Sequence, residues 1–170
     1  MLICGAAAIL IAAGWGRLAP AEVLDLDEAA GWIADACDDG GAPVEGPSGP
    51  ECVALVAALW AVESGGQFPA YPTGRWIRSG LGPLQLVQPS GCFRNSRIGR
   101  VCLPPHELLG GASAIRHGVE VLRWKATRAG PGPEAVLRAW NGGGSPTYVE
   151  RALRVLGRIR RALRAIGGEA

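Results

Sequence analysis

The sequence predicts an all-α fold, a bundle of helices around a loop-rich middle. Two observations carry this. Apolar residues recur at helical spacing over several segments, and no run is convincing as a strand. Clusters of glycine and proline, 26 and 13 in the 170 residues, separate the helical segments. Residues 22–39 read as the first helix, with a stripe of Val23, Leu24, Leu26, Ala29, Ala30, Ile33 and Ala34. A breaker-rich loop follows over 40–50. The next helix is a nearly unbroken apolar run, Val53 to Val62, closed by Glu63 and the break Ser64-Gly65-Gly66. The stretch 64–104 is irregular, with one apolar segment at 81–87. A helix is expected over 108–128, with apolar positions 115, 119, 122 and 126. Pro131-Gly132-Pro133 interrupts it, and Pro133 suits the first turn of a short helix, 133–140. A glycine loop over 141–146 leads to the last helix, 147–166, with Val149, Leu153, Leu156, Ile159, Leu163 and Ile166 facing inward.

The length suits one domain with a substantial core. Hydrophobic residues make up 48% and charged residues 19%, which argues against disorder. A net charge of +2 gives no reason to expect a nucleic-acid partner and suits a partner of mildly negative character. The arginines of the last helix, 151, 154, 158, 160, 161 and 164, read as a solvated face.

Residues 1–21 read as a signal peptide or N-terminal anchor. Met1 to Ala13 is almost wholly apolar but short for a bilayer span, and Ala19-Pro20-Ala21 offers an A-x-A cleavage site. No basic residue precedes the apolar run, so cleaved leader and uncleaved anchor both stay open. Export agrees with the cysteines. Apart from Cys4, four remain, Cys37, Cys52, Cys92 and Cys102, an even number that suggests two disulfides. Of three pairings, the local one, Cys37–Cys52 with Cys92–Cys102, is favoured. Zinc held by Cys92, Cys102 and His106 fits no compact motif, so no metal is expected. Residues 22–50 form an N-terminal helix and loop, and 51–166 the main domain.

Glu63 is the chemically informative residue. It ends a buried helix, and no Asp or Glu follows until Glu107, while arginines occupy 75, 78, 94, 97 and 100. Desolvation on one side should raise its pKa and make it a candidate general acid. Glu51, on the same helix, lies 12 residues back, about 18 Å at ~1.5 Å per residue, too far to act with it, while Glu107 and the N-terminal aspartates stay open as a second acid. No G-x-S-x-G, P-loop or H-E-x-x-H motif is present. His106 and His117 read as surface or structural residues.

Four segments then stand in order: Glu63-Ser64-Gly65-Gly66-Gln67-Phe68-Pro69, Gly82-Pro83-Leu84-Gln85-Leu86, Ala139-Trp140-Asn141-Gly142-Gly143, and Tyr148-Val149. With the helix over 108–128 between the second and third, this resembles the soluble lytic transglycosylase family, relatives of goose-type lysozyme, over roughly residues 51–160. The resemblance implies a lysozyme-like α bundle that cleaves the β-1,4 bond between N-acetylmuramic acid and N-acetylglucosamine in peptidoglycan. It needs no cofactor. Glu63 would serve as general acid and then as base. Ser64 would orient the acid or its sugar, Gln85 would bond substrate near the scissile linkage, Asn141 would contact sugar amide or hydroxyl groups, and Tyr148 would hold Glu63 by its hydroxyl. Two motifs depart from the pattern. Pro83-Leu84 replaces the usual Leu-Met. Trp140 stands where tyrosine is usual, keeping an aromatic wall without the hydroxyl and leaving the fixing of the acid to Tyr148, and Gly142-Gly143 replaces the usual Ala-Gly. Six tryptophans against two tyrosines and two phenylalanines suit stacking on sugars, with Trp76 the best placed, while Trp32, Trp60 and Trp124 read as core.

Two rival functions remain at this point: a hydrolytic muramidase on the same fold, and a non-catalytic peptidoglycan-binding or assembly module. The expected setting is the periplasm or cell envelope. The expected partner is the glycan strand, with the protein a monomer serving wall turnover, a secretion or conjugation apparatus, or phage assembly and entry.

Overall fold

The computed structural model describes residues 26–38, 46–63, 84, 86, 92–95, 99–102, 107, 111–130, 132–143 and 145–167. Among them the fold is all-α. Five helices carry it: α1 (Leu26–Cys37), α2 (Gly49–Glu63), α3 (Gly111–Ala129), α4 (Pro133–Trp140) and α5 (Pro146–Gly167). Two short strands, β1 (Cys92–Asn95) and β2 (Gly99–Cys102), pair antiparallel as a hairpin in the middle of the chain.

Helix α2 is central because it is apolar all round. Its run of alanine, leucine and valine leaves no polar face for water, and Ala54 to Trp60 are all buried. Such a helix has to be covered on several sides. It packs against α1 and α5, while α3 closes on α1 and α4, and α4 touches α5. The side chains of Ile33, Leu59, Trp60, Ile115, Leu122, Leu137 and Leu156 are almost completely shielded where these helices meet. Gly118 lets the chain around Leu84 approach α3, since a Cβ there would overlap the Leu84 side chain. β1 lies against the same helix.

Covalent and polar links fix the entry to α2. Cys37 at the end of α1 is joined to Cys52 in the first turn of α2. The buried Arg123 of α3 donates to the carbonyls of Pro47 and Cys37 at 3.1 and 3.5 Å and to Glu120 at 3.2 Å. It thereby ties the end of α1 and the loop before α2 to α3. At the same end, Arg160 of α5 grips the Glu51 carboxylate with two nitrogens, at 2.5 and 3.1 Å.

The expected Cys37–Cys52 bridge is present. Cys92 and Cys102 stand opposite one another in the hairpin register; their sulfurs lie outside the described features. The hairpin is the small amount of strand in a fold expected to hold little or none. Each strand is only four residues long and neither shows a clear apolar alternation, so there was little periodicity to detect. The solvated-face reading of α5 needs correction at two positions, because Arg160 is committed to Glu51 and Arg151 donates to the Val62 carbonyl at 2.9 Å. Trp60 is core, whereas Trp32 and Trp124 are only half-buried. His117 is buried on α3. Among the described residues no helix is long and apolar enough to cross a membrane. The apolar segment 1–13 lies outside them.

Candidate functional site

Four helix ends or faces converge on one carboxyl group. Helix α2 delivers Glu63 from its last residue, one turn beyond the buried Leu59 and Trp60. Helix α4 is short and ends on Trp140. Its amphipathic sequence buries Val136, Leu137 and Trp140 together, which turns the indole inward. The chain then reverses through Asn141, Gly142 and Gly143. The two glycines adopt φ of +66° and +81°, left-handed conformations that favour glycine. Their amide groups donate to the carbonyls of Ala139 at 3.2 Å and Arg138 at 2.9 Å, and so close the end of α4. Helix α5 begins at Pro146, and the Ser145 carbonyl accepts from Tyr148 and Val149. That tight loop brings Tyr148 back beside Trp140.

Both aromatic residues donate to the same oxygen. The Trp140 Nε1–H reaches Glu63 Oε1 at 3.0 Å, and the Tyr148 hydroxyl reaches it at 2.5 Å. When Glu63 is protonated, the oxygen that accepts both bonds is its carbonyl oxygen and the acidic proton sits on Oε2. Trp140 thus supplies a second donor to the acid, and Tyr148 does not hold it by itself.

Burial drives the Glu63 pKa upward from the ordinary carboxylate value. The Tyr148 and Trp140 hydrogen bonds, and the positive charges of Arg151 and Lys125, oppose that rise. Burial and the neighbouring Glu63 charge push the Tyr148 hydroxyl far above its ordinary pKa, so it stays protonated as a donor. Lys125 on α3 is pushed down by its own burial and partly held up by Glu63. Its Nζ donates to the carbonyls of Trp140 and Ala139 at 2.8 and 3.2 Å, and lies 5.4 Å from the centre of the Trp140 ring. Arg151 caps the other helix, α2, through the Val62 carbonyl.

This arrangement can hold a proton to higher pH than an ordinary carboxyl does, release it, and stabilise the anion that remains. Among the described residues, the charges acting on the Glu63 carboxyl are the two cations. Glu51, at the far end of α2, is taken up by Arg160 and is not a partner for Glu63.

Of the site residues expected from sequence, the structure brings Glu63, Trp140 and Tyr148 into direct contact. Asn141 follows Trp140 at the C-terminus of α4, half-exposed, with its amide bonded to the Leu137 carbonyl. Ser64, Trp76 and Gln85 lie outside the described residues. Sequence reasoning overlooked Lys125 and the capping role of Arg151. One signal for Lys125 was available: it is the only lysine in a chain whose 17 basic residues are otherwise all arginine. Comparison of the chain with family models, curated proteins and solved structures returned no match.

Proposed function

We propose that the protein is a peptidoglycan lytic transglycosylase with Glu63 as its sole acid and base. One observation carries the reading: a buried carboxyl at a helix end, with a raised pKa, braced on one oxygen by Trp140 and Tyr148 and flanked, among the described residues, by cationic charges. The order of the sequence motifs around Glu63, Gln85, Asn141 and Tyr148 agrees with it. In the reaction, Glu63 gives the Oε2 proton to the glycosidic oxygen as the bond to the N-acetylmuramic acid C1 breaks. The N-acetyl group of the substrate assists at C1. The two aromatic donors and the two cations favour the carboxylate that results. That carboxylate then takes the proton of the C6 hydroxyl as its oxygen closes on C1, which forms the 1,6-anhydro ring. No water is consumed, and Glu63 is reprotonated.

Hydrolytic glycosidases of the common type use a second carboxylate about 5–9 Å from the first. The charged neighbours of Glu63 among the described residues are of the opposite sign. We also place the enzyme outside the reducing cytoplasm, on the support of the Cys37–Cys52 bridge and the apolar N-terminal segment.

The test is Glu63→Gln assayed on purified cell-wall sacculi. Because a general acid commonly accounts for about 10²–10⁴ of the rate, the variant should lose at least that much. Undiminished release of muropeptides by Glu63→Gln would remove Glu63 from the chemistry. A wild type that binds sacculi without releasing fragments would favour a binding module.

A further inference from the structure

Lys125 is the single lysine among 17 basic residues, and it is the basic residue that lies against the site from α3. An ammonium is compact, whereas a guanidinium is a wide planar fork. The ammonium sits between the last two carbonyls of α4 and the face of the Trp140 ring. Its three contacts, 2.8 Å to the Trp140 carbonyl, 3.2 Å to that of Ala139 and 5.4 Å to the ring centre, all fall on the end of α4. A cation is favourable at a helix C-terminus, where the unpaired carbonyls concentrate negative charge. The residue so held is the one whose indole N–H meets Glu63 Oε1. The chain of contacts runs from Lys125 to Trp140 to Glu63, across 15 and then 77 residues of sequence.

We propose that Lys125 is a positioning residue for Glu63: it fixes Trp140 against the carboxyl and supplies a positive charge that balances the carboxylate left by proton donation. This rests on the transglycosylase reading, in which the same glutamate must be an acid and then a base. A neutral clamp would hold the indole equally well but would not favour the anion. Glu63 is faced by Tyr148 and Arg151 from α5, by Trp140 from α4 and by Lys125 from α3, so Lys125 is one of two cations that set its charge balance. The influence is mutual, since the Glu63 charge also holds the Lys125 ammonium in its protonated form.

A lone lysine gives a lone signal. Protein grown with lysine labelled with carbon-13 at Cε shows one lysine side-chain resonance, which can be followed against pH in the wild type and in Glu63→Gln. The wild-type resonance should move as Glu63 ionises, and in Glu63→Gln that step should vanish and the lysine should lose its proton at lower pH. Identical titrations in the two proteins would overturn the proposal. Lys125→Gln, which keeps a hydrogen-bond donor for the carbonyls but not the charge, should slow wall cleavage about 10- to 100-fold, because the carboxylate left by proton donation loses one of its stabilising charges. The falling limb of its pH–rate profile should lie at higher pH, since Glu63 then gives up its proton less readily. An unchanged rate and profile in Lys125→Gln would also overturn the proposal. Should Lys125→Gln not fold, the labelled wild type and Glu63→Gln still decide the question. A wild type that is inactive on sacculi, but whose lysine resonance senses Glu63, would reject the transglycosylase reading while sustaining the coupling.

Discussion

The Glu63 carboxyl is pulled in two directions. Burial at the end of α2 favours its protonated form, while two hydrogen bonds and two cations favour the anion. The balance sets the direction of each single change. Tyr148→Phe removes a donor that favours the carboxylate, so it should raise the Glu63 pKa further and move the falling limb of the kcat/KM profile to higher pH. The rate at the optimum should drop about 10- to 100-fold, because the acid is less firmly oriented and the returning base is less stable. Trp140→Phe should act in the same direction and more weakly, since its bond is the lesser of the two influences. A limb moving to lower pH in either variant would contradict the assignment. Stability follows from the same balance. A group whose folded pKa lies above its unfolded value, here 4.5, contributes stability that is complete below that value and is lost as pH rises through the folded pKa. Ionisation of Glu63 therefore weakens the fold as pH rises through its folded pKa. Glu63→Gln should melt higher than the wild type at pH 7, by about 1 kcal/mol, the usual size of a function–stability trade-off. The gap should narrow as the pH falls toward the unfolded carboxylate value, and calorimetry across that range checks it.

At the scale of elements, α2 has to be placed from both ends. Its start is held by the Cys37–Cys52 bridge, by the Arg123 bonds to the carbonyls of Pro47 and Cys37, and by the Arg160–Glu51 pair. Its end is held by Arg151 on the Val62 carbonyl. The disulfide closes a loop of 15 residues, for which the chain-entropy estimate is about 3 kcal/mol. Cys37→Ser with Cys52→Ser should lower the unfolding free energy by about that amount in a urea titration. A loss well under 1 kcal/mol would mean that the polar ties alone position the helix. Helices α2, α4 and α5 were legible in the sequence because their signals are local. Gly-Pro breaks mark their ends, and an apolar run or stripe marks each interior. The hairpin was not legible: two four-residue strands carrying Arg94 opposite Arg100 show no apolar alternation. The donor role of Trp140 was also hidden. Its indole meets Glu63 across 77 residues of sequence, and a position that looked like the loss of a hydroxyl proves to carry a second donor to the acid. Lys125 was hidden for the same reason, as its acceptors are the backbone carbonyls of another helix.

Across the described residues, an apolar helix is packed between α1 and α5, and its last residue emerges beside side chains of α3, α4 and α5. The core sets the depth of the carboxyl, and the helix ends supply donors and positive charge. A carboxyl so placed needs no second acid if the substrate's own C6 hydroxyl is the final nucleophile. If water were the nucleophile, the products would end in a free reducing sugar. Digestion of purified sacculi, followed by mass analysis of the released muropeptides, separates these outcomes. The account predicts fragments that end in 1,6-anhydro-N-acetylmuramic acid, each lighter by one water than the hydrolytic product, and none from Glu63→Gln. Fragments with reducing ends from the wild type would contradict it.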